Sequence, residues 1–339
     1  MRVLRSLDEA AASGALRGGA IAIGNMDGVH LGHRRLLEVA RVVAEGGRAQ
    51  GQAEEPAPER AGGSGGPSLT RPPRHHGLLT FDPHPVQVLR PERAPPLLTP
   101  LPRKLELLGA LGLGATVVQP FDRAYAATPA AEFVGRDLAG KLGVAHVVVG
   151  NDFTAGRERA RVDALRPLLA AHGIALHLVE PVTADGLVVS STKIREFVLE
   201  GNVEAAAELL ARPYDVDAEV VRGAGRGRAF GFATANLGTA QLLPANGVYV
   251  VSAWLGPAGG GPPLAGVCNV GVKPTVEAAG GVVAEVHLLD FDGRALYGVP
   301  MRTAFLRRLR DERRFPSIEA LRAQIERDVE AAKRFFTAR

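Results

Sequence analysis

Residues 24–33 read GNMDGVHLGH, two histidines three positions apart among glycines, directly after the apolar run 20–23. Gly24, Gly28 and Gly32 let a backbone turn tightly and approach a ligand. The helix expected next offers free amides and a positive dipole end, which favour phosphate. His30 and His33 stand at i and i+3, so both rings can face one anion. Imidazoles there can donate hydrogen bonds to a triphosphate and to the charge that develops as a phosphoryl bond breaks. A zinc pair is a competing reading, without a third ligand at a recognisable spacing. Two packed histidines at a turn is the other.

Three more polar stretches end strand-like runs in the same half: TFDPHP (80–85), VGNDFTAG (149–156) and VSSTKIR (189–195). The last sets two hydroxyls ahead of a lysine and an arginine at a helix start, a pattern that can bind phosphate through side chains and amides together. In the other half, residues 222–237 read RGAGRGRAFGFATANL. No helical pattern follows its glycines and no G-K-[ST] ends it, so neither a Rossmann loop nor a Walker A motif fits. Glycine turns between strands are a sufficient explanation for the glycines alone. The ATANL end adds Thr234 and Asn236 on one face of an extended segment, oxygen donors of the kind Mg²⁺ takes. Glu285 lies in VAEVHLLDF, where alternation puts Glu285, His287 and Leu289 on one face. A carboxylate among apolar neighbours is costly unless paired or employed, and it could take a proton from an attacking hydroxyl.

The elements that position these groups fall into two textures. Strand-like runs at 20–23, 77–81, 115–121, 146–150 and 175–182 alternate with helical patterns up to about residue 212, which describes a parallel sheet flanked by helices. Such sheets bind ligands at the carboxyl ends of their strands. Residues 46–77, with eight glycines and five prolines, interrupt the pattern and are expected to form a disordered loop. His75 and His76 end that loop beside arginines, as solvated groups or metal ligands. After Tyr214 closely spaced strands with glycine turns indicate an antiparallel sheet or barrel, with no helical pattern before about residue 303. The end places Ile318, Leu321, Ile325, Val329, Ala332 and Phe336 on one helical stripe, with Ser317 as cap.

At 339 residues two domains are expected, and 46% hydrophobic with 22% charged residues is the balance of a globular enzyme. The net charge of +4 is too small to imply nucleic-acid binding; residues 300–339 carry the excess, 11 Lys/Arg against 6 Asp/Glu, as a solvated helix face or a phosphate-binding stripe. One cysteine, Cys268, excludes an intramolecular disulfide and suits a reducing compartment. No run approaches the ~20 apolar residues of a membrane span. The opening sixteen residues lack the apolar core of a signal peptide. A cytoplasmic protein with no membrane partner is therefore the expectation.

The motifs GxFDGVHxGH, TFxPHP, VGxDFxFG and SSTxIR, in this order, resemble the adenylyltransferase half of the bacterial bifunctional riboflavin kinase/FAD synthetases. The second half is similar to riboflavin kinases through GAGRGRAFGFATANL, NVGVKPT, EVHLLDF and LYG. The resemblance implies an α/β Rossmann-like nucleotidyltransferase domain over 1–212. An antiparallel β-barrel kinase domain with a C-terminal helix would follow over 213–339. It implies that riboflavin is phosphorylated by ATP and that FMN then attacks the α-phosphorus of a second ATP, with Mg²⁺ in both steps. His30, His33, Ser191, Thr192 and Arg195 would hold ATP phosphates, with Gly24, Asn25, Asp27 and Gly28 beside the nucleotide. Phe81, His84, Pro85, Asn151 and Asp152 would line the FMN side. Thr234 and Asn236 would bind metal and nucleotide, Gly223, Gly227 and Arg228 would cover the ATP, and Glu285 would be the base. Arg310 and Glu312 would lie near the flavin. His30, His33, Arg195 and Glu285 would carry the catalysis, in a monomer or transient homo-oligomer. The chain departs from the family at Met26, at Ala155 and at Ala233, where phenylalanine, phenylalanine and proline are usual. A chain keeping one of the two activities, or a non-catalytic flavin-binding regulator, are the alternatives.

Overall fold

The computed structural model describes residues 1–47, 75–222, 234–256, 261–272, 282–292 and 294–338. The expected disordered loop over 46–77 therefore lies almost wholly outside the described residues; its last positions enter a strand, of which His76 is the first residue. Two compact units are present, Met1–Pro95 with Pro100–Val189, and Pro96–Thr99 with Ser190–Arg339.

The first unit is built on six parallel strands, β1 (Arg2–Leu4), β2 (Ala20–Ile23), β3 (His76–Asp82), β4 (Ala115–Pro120), β5 (His146–Gly150) and β8 (Ala175–Val179), in the order β1-β4-β3-β2-β5-β8. Short antiparallel pairs β6 (Thr154–Ala155) with β7 (Ala160–Arg161), and β9 (Thr183–Ala184) with β10 (Leu187–Val188), branch from it. All four residues of β2 are buried because helices cover both faces of the sheet. Ile21 and Ile23 face a core with Leu79, Val147, Phe133 and Leu165, while Ala20 and Ala22 face Leu37, Val39, Leu78 and Leu108. The apolar stripes come from α1 (Leu7–Ser13), α2 (Leu31–Ala44), α4 (Leu101–Ala110), α6 (Phe133–Leu142, wound as a π-helix) and α7 (Val162–Ala171), with α3 (Pro85–Leu89) and α5 (Arg123–Ala126) as short turns between. Fully burying one such leucine contributes about 1.5–3 kcal/mol. From β2 the chain runs outward through β3 and β4, and β5 returns to the other side of β2. The switch point thus lies between β2 and β5, whose carboxyl ends feed GNMDGVHLGH and NDFTAG.

The second unit closes six antiparallel strands into a barrel: β11 (Tyr214–Val221), β12 (Thr234–Gly238), β13 (Gly247–Leu255), β14 (Leu264–Val272), β15 (Val282–Leu288) and β16 (Pro300–Arg310). Tyr214, Tyr249 and Phe305 are buried at its centre, the last two edge to face at 5.5 Å. On the outer face α10 (Ile318–Thr337) covers Val248, Val250 and Val267 through Val329, Ala332 and Phe336. Helices α8 (Ser191–Glu200) and α9 (Val203–Leu210) group with the barrel by compactness, whereas the change of texture in the sequence falls after residue 212. Arg308 of β16 contacts both helices, its guanidinium donating to the Glu200 carbonyl at 3.1 Å and its backbone amide to the Glu204 carboxylate at 3.4 Å.

Two expectations need correction. The stretch from residue 303 continues a strand, not a helical pattern, and the helix starts at Ile318. Both faces of β16 are covered and its arginines are partnered, as Arg302 is by Asp217, so no clean alternation marks it. On α10 the buried line is Gln324, Asp328 and Ala332, and Ile318 is exposed. Arg310 and Arg313 bond Asp328 and Gln324 and draw that line inward.

Candidate active sites

In the first unit the loop after β2 has an unusual backbone. Met26 (φ 53°), Gly28 (φ 90°) and Val29 (φ 44°) all sit in the left-handed region, which only the glycine enters without strain. Met26 and Val29 pay for this by packing fully into the core beside Ala22 and Leu78. Methionine thus fills the place usual for phenylalanine. His30 caps α2: its Nδ1 accepts from the His33 amide at 3.3 Å. The two rings stack with centroids 3.6 Å apart. A Cβ on Gly32 would come within 3.2 Å of the His30 ring, so a side chain there would crowd the stack. Burial, then the neighbouring His30 and Lys104 charges, hold the His33 pKa well below the usual imidazole value. His33 is therefore a neutral ring at pH 7. Asp27 is buried with it.

TFDPHP ends β3. Phe81 is half-buried and forms an aromatic cluster with Phe121 (5.5 Å) and Tyr125 (6.2 Å), two residues that no motif marks in the sequence. The Tyr125 hydroxyl donates to buried Asp137 at 3.1 Å. His84 caps α3, accepting from the Val86 amide at 3.2 Å, and Pro85 opens that helix. Beyond β5, the Asn151 amide donates to Glu180 at 2.8 Å, and Asp152 is exposed beside it. Ala155 is buried in the core that holds Phe133, and Phe153 packs against the same core, so the flap after Asp152 keeps an apolar anchor and one aromatic ring although position 155 carries none.

In the second unit Ser190 caps α8 through its Oγ, which accepts from the Lys193 amide at 3.2 Å. Ser191 and Thr192 follow in the first turn. The Arg195 Nε donates to the Pro96 carbonyl at 3.3 Å, and Lys193 pairs with Glu196 at 3.0 Å.

The barrel carries a second constellation. Strand register sets Thr234 opposite His287 and Asn236 opposite Glu285, while β14 sets Asn269 opposite Glu285 on its other side. Directly opposed residues share a face with Cβ atoms about 4.5–5.5 Å apart. Glu285 thus stands between two carboxamides on the face opposite Ala284, Val286 and Leu288, which are buried. Asn269 and His287 were legible as motif letters but not as neighbours, since pairing across strands is not written locally. Arg310 makes a two-pronged ion pair with buried Asp328 of α10, and the Glu312 carboxylate crowds Gly271 at the end of β14. Gly223, Gly227, Arg228 and Ala233 lie outside the described residues. Among the described residues no group of three or more His, Cys, Asp and Glu could hold a metal ion, and no helix is long and apolar enough to cross a membrane.

The family model for FAD synthetase matches residues 71–193 and that for riboflavin kinase matches 210–336. A bifunctional riboflavin kinase/FMN adenylyltransferase from Pseudomonas fluorescens is 36% identical over 94% of this chain and 93% of its own. The proteins of that description from Bacillus subtilis and Escherichia coli are 33% and 34% identical, over 94% and 99% of this chain and 92% and 97% of theirs. A crystal structure of a macrolide-efflux protein from Streptococcus pneumoniae has a TM-score of 0.78 at 24% identity, covering 98% of this chain and 99% of that one. This last likeness is one of fold. The paired model matches, in the order of the two units, and relatives aligned along nearly the whole length place this chain in the family of bifunctional riboflavin kinase/FMN adenylyltransferases.

Proposed function

We propose that the two transferase activities of this family divide at residue 212: 213–339 convert riboflavin to FMN, and 1–212 convert FMN to FAD. In the first reaction Glu285 takes the proton of the riboflavin 5′-hydroxyl as its oxygen bonds to the γ-phosphorus of ATP, and ADP leaves. Thr234 and Asn236 offer a hydroxyl and an amide oxygen on the Glu285 face, a donor set that suits Mg²⁺. The metal, when bound with ATP, neutralises phosphate charge. Arg310 and Glu312 belong to the flavin side, and Gly223, Gly227 and Arg228 to the ATP cover.

In the second reaction an FMN phosphate oxygen bonds to the α-phosphorus of ATP and pyrophosphate leaves, with no covalent enzyme intermediate. Catalysis is then positioning and charge stabilisation. His30, His33, Ser191, Thr192 and Arg195 take the phosphates, with Gly24, Asn25, Asp27 and Gly28 beside the nucleotide. Phe81, His84, Pro85, Asn151 and Asp152 take the flavin, and the Phe81–Phe121–Tyr125 cluster adds ring surface. The protein works in the cytoplasm as a monomer or transient homo-oligomer.

The observation that carries the division of labour is the register that sets Glu285 between Asn236 and Asn269. Chromatography of flavin products from the full chain tests it. Glu285→Ala is expected to block FMN formation while FAD still forms from supplied FMN; His30→Ala is expected to do the reverse. Loss of both activities in both folded variants would refute the division.

A further inference from the structure

Helix α4 turns an amine inward. Lys104 is 4% exposed, one turn before fully buried Leu108. Burial disfavours an ammonium, so a lysine there needs partners. Its Nζ donates to the Asn25 carbonyl oxygen at 2.7 Å, which also accepts from the Thr80 hydroxyl at 3.3 Å. The carboxylates that act on the same amine are Asp27, in the loop after β2, and Asp82, at the end of β3. They oppose the downward push of burial on its pKa. One side chain therefore links the histidine loop to the strand end that carries FDPHP.

That loop needs fastening. It holds two non-glycine residues in the left-handed region, and such backbone persists only where its surroundings over-determine it. The loop keeps the Asn25 Oδ1, and the first turn of α2 the His33 Nδ1, buried without a hydrogen-bond partner among the described residues. Buried polar atoms without partners are costly, and a ligand that reaches them recovers the cost. The Lys104 charge further acts on His33, after burial and His30, to keep that ring neutral.

We infer that Lys104 is a positioning residue for FMN adenylylation: by clamping the Asn25 carbonyl it fixes the Gly24–His30 loop, and with it the stacked His30–His33 pair. The inference rests on assigning that loop to ATP.

The test uses the full chain with Lys104→Met, which cannot donate; Lys104→Gln, which can donate but carries no charge; and His30→Ala as reference. Three readouts are needed: FAD formed from FMN and ATP, FMN formed from riboflavin, and the His33 ring titration by NMR. Because a displacement of about 1 Å can cost about 100-fold, Lys104→Met is expected to lower kcat for FAD formation by about 10- to 100-fold. FMN formation and KM for FMN should stay near wild type. Lys104→Gln should retain more activity than Lys104→Met, and in both the His33 titration should move up. Wild-type FAD formation by Lys104→Met, or an equal fall of both activities, overturns the inference. Should Lys104→Met fail to fold, Lys104→Gln decides: FAD formation and His33 titration both as in wild type refute it. If His30→Ala leaves FAD formation intact, the assignment of the loop to ATP fails first, and the clamp with it.

Discussion

At the scale of single residues, the environment of Glu285 decides what its carboxylate can do. Glu285 itself is half-buried on the strand face it shares with Asn236 and Asn269, so its carboxylate keeps access to solvent. Amides on both sides can orient it. Glu285→Gln preserves shape and hydrogen-bonding reach but removes the proton acceptor. A general base contributes typically 10²–10⁴-fold, so kcat for FMN formation should fall by about that factor with little change in the KM for ATP. Steady-state assays at saturating riboflavin check this. A comparable rise in KM with kcat preserved would instead make Glu285 a binding residue.

At the scale of elements, what could be read ahead of the structure depended on how local each signal was. The cap at Ser317 lies within one turn of the helix it starts, so α10 was legible, as was the strand–helix alternation of the first unit. Strand β16 was not legible, because its arginines carry their charges to partners far along the chain and their stems pack as apolar surface. Lys104 leaves a faint trace in the sequence: a lysine on the apolar side of α4, between Leu101 and Leu108. Only the folded sheet shows that it reaches Asn25. The Arg310–Asp328 pair is another such long-range tie, with side chains 20% and 7% exposed. It joins the end of β16 to the middle of α10, and Gln324 adds a bond of 2.7 Å to the same carboxylate. Asp328→Ala would leave the guanidinium without its carboxylate. Because Arg310 keeps some access to water, the expected cost is about 2–3 kcal/mol, below that of a fully buried broken pair. Trp254, the sole tryptophan of the chain, lies in β13 and reports barrel unfolding in urea directly. An unchanged midpoint would make the pair dispensable.

At the scale of the whole molecule, the two units should answer acid differently, because the histidines are unevenly shared. His287 is the only histidine of the barrel unit. The first unit holds the rest, and three of them, His33, His76 and His177, have pKa values pushed below the usual imidazole range, in each case chiefly by burial. For His76 the Glu45 carboxylate pulls the other way, and Arg41 and His75 add to the lowering. His177 also shares a contact of 3.1 Å between ring nitrogens with His146. A group whose folded pKa is depressed binds protons more readily when unfolded, so unfolding takes up protons below the unfolded value of about 6.5. The stability contributed by these neutral rings is complete above about pH 6.5 and is lost progressively as pH falls toward the folded values. Amide hydrogen exchange in β2 and β5 should therefore quicken on going from pH 7.5 to 5.5, after correction for the intrinsic pH dependence of exchange. Over the same range the Trp254 urea midpoint should move less. Equal shifts in the two reporters would show that carboxylates spread through both units, rather than the buried imidazoles of one, set the acid limit of the fold.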